Sequence, residues 1–135
     1  MPRRVSGSGV DSTYVITEAH ALDLGDAPGD VITGIICPGD GAKVVEYTMT
    51  IRTAGTGANN HELVLEHGLT TAGVAMAPQL DVLATSAAGT IFTQEALDPN
   101  GQPVTVKGTV IQFANAESGA ISNGAIVDVS ILWRL

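Results

Sequence analysis

Cysteine is nearly missing from this chain. Cys37 is alone among 135 residues, so no internal disulfide framework exists. Aromatic residues are almost as scarce, with Tyr14, Tyr47, Phe92, Phe113 and Trp133 the complete set. That predicts a mainly aliphatic core and leaves little for a sugar-stacking platform. Basic charge is thin too: six Lys and Arg stand against fourteen Asp and Glu, for a net charge of −8. Phosphate backbones need concentrated positive charge, so no nucleic-acid partner is expected. No apolar run reaches 18 residues, and the start lacks a signal-type apolar stretch, so no membrane partner is expected either. The single thiol fits a protein made in reducing, cytoplasm-like conditions.

What is present favours strands. Val, Ile and Thr pack well on a pleated surface, and sixteen glycines discourage helices. Charged residues are only 15%, too few for a disordered chain, and the length suits one domain. Residues 1–12 read as a flexible arm in which Arg3 and Arg4 precede Ser6-Gly7-Ser8-Gly9. Residues 13–135 read as the folded domain.

Short strands are expected at Tyr14–Thr17 and Ala21–Leu24. The apolar run Val31–Cys37, between Pro-Gly turns, predicts a strand buried on both faces. Lys43–Thr53 alternates with period two, Val45, Tyr47, Met49 and Ile51 on one face and Glu46, Thr48, Thr50 and Arg52 on the other. Glu62–His67 resumes the alternation after a Gly/Asn loop, predicting a hairpin. Residues 69–86 fit either a short helix after Pro78 or two strands around Ala77-Pro78, and bordering Thr and Gly favour the extended form. Thr90–Leu97 is a strand and Asp98-Pro99-Asn100-Gly101 a turn. Pro103–Ala114 reads as a long strand whose apolar parity changes at Gly108, predicting a bend there. Ala125–Leu135 is the last strand, with Val127, Val129, Ile131, Trp133 and Leu135 on one face. The class is therefore all-β: an antiparallel β-sandwich or jelly roll of about eight strands.

No catalytic signature appears. His61-Glu62-Leu63-Val64-Leu65-Glu66-His67 superficially resembles a zinc-protease helix, but the histidines are six apart, not four. On a strand they stand ~20 Å apart, so two water-facing histidines at strand ends are expected instead. His20 has no ligand pattern around it. Asp23, Asp26 and Asp30 could hold Ca²⁺ weakly, although solvated loop acids are the commoner use of such residues. Gly-x-Ser-x-Gly, Walker and dinucleotide patterns are absent, and Cys37 ends an apolar run, as a buried inert thiol does. No cofactor, metal or small-molecule substrate is expected.

The short chain, the Ala/Gly/Thr/Val-rich β pattern, the N-terminal arm and the ending Ile131-Leu132-Trp133-Arg134-Leu135 together resemble the small jelly-roll proteins of tailed-bacteriophage virions, especially capsid decoration (cement) proteins. The likeness is one of style over residues 14–135, and no site residue carries over from it. It implies a homotrimer, made in the host cytoplasm, that sits outside the head, touches the major capsid protein and braces neighbouring subunits without catalysis. Val44, Val64 and Leu132 are apolar residues expected on otherwise polar strand faces, which suits subunit contacts, while Arg3 and Arg4 would grip an acidic patch. Alternatives are a receptor- or glycan-binding module such as a fibre tip, a tail-tube or head-completion protein, and a small jelly-roll enzyme.

Overall fold

The computed structural model describes residues 13–24, 31–56, 60–68, 73–83, 85–115 and 125–135. Among them are nine strands: β1 (Tyr14–Asp23), β2 (Val31–Ile36), β3 (Lys43–Thr53), β4 (Asn60–His67), β5 (Val74–Ala75), β6 (Leu80–Leu83), β7 (Ile91–Glu95), β8 (Val110–Asn115) and β9 (Ile126–Arg134). One sheet has the order β1-β9-β3-β7; the other runs β2-β8-β4, with β5 and β6 sharing the far edge of β4. Every pairing is antiparallel. The chain changes sheet at each step from β1 to β4 and again from β6 to β9, which is the winding of a jelly roll.

The core lies between the sheets. Tyr47, Met49 and Ile51 of β3 and Val127, Val129, Ile131 and Trp133 of β9 meet Leu63 and Leu65 of β4 and Ile111 and Phe113 of β8, all buried. The core is less purely aliphatic than the composition suggests. Trp133, Tyr47 and Phe113 are its largest fully buried side chains, so the scarce aromatics fill its thickest part. Tyr47 and Phe113 meet edge to face across the two sheets, centroids 5.3 Å apart. Trp133 donates its indole N–H to Thr17 Oγ1 at 2.8 Å, which satisfies its polar end inside the sandwich.

Several expectations change. The two strands predicted at the start are one, β1, with an irregularity between Ala19 and Leu22 where Ala21 takes φ 53°. β3 and β4 do not form a hairpin: β3 pairs with β9 and β7, β4 with β8, β5 and β6. The connection after Thr53 carries the chain from one sheet to the other rather than folding back in plane. β2 is an edge strand; at its end Ile35 and the following Cys37 are buried while Ile36 between them is 51% exposed, so burial on both faces does not hold there. The described part of 69–86 is extended, as favoured, with Met76–Gln79 separating β5 from β6. Pro103–Ala114 is not one strand. The bend at Gly108 is real, with φ +86°, but only Val110–Asn115 beyond it joins a ladder.

A candidate interaction surface at one end of the sandwich

The start of β1 and β3 and the end of β7 and β9 meet at one end of the first sheet. Between Val44 and Glu46 the register of β3 against β9 slips, and Val45 is the bulged residue. The slip turns Val44 inward against Trp133 and pushes Val45 out, the reverse of their expected placement. Val44 is therefore a core residue, 2% exposed, and is corrected as a member of a polar outer face.

A loop is laced onto this bulge. Asp98 caps the 3-10 turn Pro99–Gly101, its Oδ1 accepting from the Asn100 N–H at 2.9 Å. Gln102 then buries its side chain as a substitute strand. Its Nε2 donates to the carbonyls of Val44 and Leu97, and its Oε1 accepts from the Val44 N–H, each at 2.8 Å. Thr105 Oγ1 donates to the Ala42 carbonyl at 2.8 Å, the Gly41 N–H donates to the Thr105 carbonyl, and the Lys107 N–H donates to Asp40 Oδ1. With Gln102 and Thr105 turned in, the alternating valines are turned out: Val104 is 79% and Val106 56% exposed.

These elements frame two adjoining recesses. One, of about 370 Å³, is lined by Tyr14, Lys43, Glu46, Glu95, Asp98 and Arg134 among others. The second, about 440 Å³, shares Lys43, Pro99 and Arg134 and reaches Val104 and Leu135. Lys43 Nζ is occupied, donating to the Gln102 and Pro103 carbonyls at 3.3 and 3.0 Å. Among the described residues no group of His, Cys, Asp and Glu is placed to hold a metal ion. Exposed Tyr14, Ile16, Val45 and Leu135 stand here beside charges of both signs, a mixture also met at association surfaces.

The same outer face carries an ion cluster at its other end. Arg52 grips Asp128 through Nε and Nη2, at 3.1 and 2.8 Å to Oδ1, and the Ala21 N–H donates to the same oxygen. The Arg52 hydrogen bond, then the Ala21 N–H, holds the Asp128 carboxyl down at about 2. His20 lies between Glu18 and Asp128, 3.5 and 3.4 Å away. The cluster fastens the left-handed Ala21 kink to β9.

The remaining candidates fall in different places. Leu132 is half-buried on the outer face of the first sheet, and Val64 half-buried on the outer face of the second, opposite Ala114. Arg3, Arg4, Asp26 and Asp30 lie outside the described residues, and Asp23 is exposed at the end of β1. Cys37 is buried. His61 is not beside water: it is fully buried, its Nδ1 3.3 Å from Asn115 Nδ2, because it shares the inward parity of Leu63 and Leu65. Sequence reasoning passed over Tyr14 and Ile16, although both share the parity of Glu18 and His20, a readable sign of an outward face.

The chain matches no protein-family profile and no characterised protein sequence. Solved structures do share its fold. A chain in the capsid of Ralstonia phage GP4 superposes with a TM-score of 0.58 at 15% identity, over 98% of this chain and 89% of that one. A chain in the acidic stable capsid structure of Helicobacter pylori bacteriophage KHP30 gives 0.52 at 16% identity, over 92% and 93%. At these identities the likeness is one of fold.

Proposed function

We propose that this chain is a structural protein of a phage virion: a decoration (cement) protein, trimeric, that binds the outside of the head and braces neighbouring copies of the major capsid protein without catalysis. The observation that carries the reading is the reciprocal coverage. Two chains from phage capsids match this jelly roll almost end to end, so the likeness is to a whole small protein and not to one part of a large one. The contact chemistry at the end of the first sheet supports it, since exposed apolar residues are mixed there with charges, as at association surfaces. Modest contacts of this kind gain strength when a cyclic oligomer sits on a symmetric lattice. In this reading Val64 and Leu132 add contact area, and Arg3 and Arg4 grip an acidic surface of the assembly.

The test is to add purified protein to heads that lack it and measure bound copies by sedimentation and the temperature at which the heads open. Saturable binding in multiples of three, with a raised opening temperature, is the expected result. A protein that stays in the supernatant at all concentrations would sink the proposal. Removing residues 1–12 is expected to weaken binding; heads that take up the shortened chain equally well would sink the role of the arm.

A further inference from the structure

One cross-strand row on the outer face of the first sheet reads Ile16, Leu132, Glu46, Glu95 across β1, β9, β3 and β7. Its β1 and β9 half is apolar and its β3 and β7 half is acidic. Glu46 and Glu95 are direct cross-strand partners, an arrangement that disfavours the isolated sheet. Among the described residues neither carboxylate takes part in an ion pair. Both line the first recess with Asp98, so its three carboxylates outnumber its two cations, Arg134 and Lys43, the latter already donating to the Gln102 and Pro103 carbonyls. We infer that this row and its recess receive residues 1–12 of a neighbouring copy of the chain, Arg3 and Arg4 meeting Glu46 and Glu95 while Val5 covers the Leu132 and Ile16 half.

Three observations select that occupant. The charge is complementary: the body is acidic, and the arm holds two of the six basic residues, side by side and followed by an apolar one. The origin is right, because Thr13 accepts a 2.8 Å hydrogen bond from the Leu135 N–H, so the arm leaves the sandwich at the same end as the recess. The length allows it to leave its own body, since twelve residues reach up to ~40 Å. Copies with a net charge of −8 repel one another, and a basic arm placed on an acidic edge offsets that repulsion where the copies touch. The inference deepens the reading of a self-associating head protein and rests on it for the presence of neighbouring copies.

The test uses the full chain without heads, so its outcome is separate from head binding. Arg4→Cys protein and Glu95→Cys protein are mixed under mild oxidation and run on a non-reducing gel. A mixed disulfide dimer, absent from either protein alone, is the expected result. No mixed dimer would overturn the inference. So would an Arg4→Cys/Glu95→Cys chain that closes only within itself, because the arm would then fold back on its own body. In parallel, sedimentation of Arg3→Glu/Arg4→Glu and of Glu46→Lys/Glu95→Lys should each show self-association weakened about tenfold, and the four changes combined should restore it. A combined variant no better than the single pairs, or a parent chain that sediments as a lone monomer, also overturns it. Either result leaves the measured binding to heads as it stands.

Discussion

β9 and the segment 102–107 both mix apolar and polar residues, yet they point them in opposite directions. In β9, Val127, Val129, Ile131 and Trp133 face the core, flanked on both sides by β1 and β3. In 102–107, Gln102 and Thr105 face inward while Val104 and Val106 stand in solvent. β9 keeps a strand's period of two, whereas the buried positions 102 and 105 are three apart, so which residues turn inward there is set by which backbone groups need partners. A central strand paired on both sides needs only apolar filling on its inner face. The bulged start of β3 leaves backbone groups of Ala42 and Val44 to be satisfied, and the polar side chains of the crossing loop satisfy them.

The comparison breaks first in β9. Trp133→Ala should cost about 3–5 kcal/mol, because it empties the largest buried site and leaves Thr17 without its partner; urea denaturation reads the loss. Gln102→Leu keeps the volume but leaves the Val44 N–H and the Val44 and Leu97 carbonyls without their side-chain partner. It should cost about 2–4 kcal/mol and speed amide exchange at Val44, measured by NMR. Thr105→Val removes the Oγ1 hydroxyl that donates to the Ala42 carbonyl and, at 3.5 Å, to that of Gly39, at near-constant shape, for a loss of about 1–2 kcal/mol in the same denaturation assay. Val104→Ser with Val106→Ser sharpens the contrast: stability should stay within about 0.5 kcal/mol, while binding to heads falls if this end is the contact.

The smallest effect is on pH dependence. The folded Asp128 carboxyl sits at about 2, below the ordinary Asp value near 3.9. Between those values the unfolded chain binds the proton first, so stability from the Arg52 contact is present above about 4 and is lost as the pH falls toward 2. Asp128→Asn should flatten that part of the stability profile, and an unchanged slope would show that the contact does not act on folding.

Much of the fold is legible in the order of residues. The all-β class, the parity of β4 and of β9 as far as Trp133, the extended form around Pro78, the bend at Gly108 and the buried Cys37 all follow from period and turn chemistry; Leu135, expected on the inner face of β9, instead lies past its end and is exposed. The phase errors have physical causes. One bulged residue, Val45, exchanges the places of Val44 and Val45, and no local signal distinguishes two adjacent valines. Pairing of β3 with β4 looks natural because the strands are consecutive, yet a jelly roll sends consecutive strands to opposite sheets, a long-range choice. His61 shows parity outweighing polarity: it shares a face with Leu63 and Leu65 and is carried inward with them. At the interaction surface, Tyr14 and Ile16 were readable by the same parity rule, whereas Val104 and Val106 were not, since their exposure depends on hydrogen bonds to residues some sixty positions away.

The 2.8 Å link between Leu135 and Thr13 has a practical corollary for grafting a foreign peptide onto this fold. Cargo fused behind Leu135 emerges beside the recesses and competes with whatever docks there. The exposed turn Ala87–Gly89, between β6 and β7 at the opposite pole, is the better place for grafting, because a passenger carried there points away from both recesses.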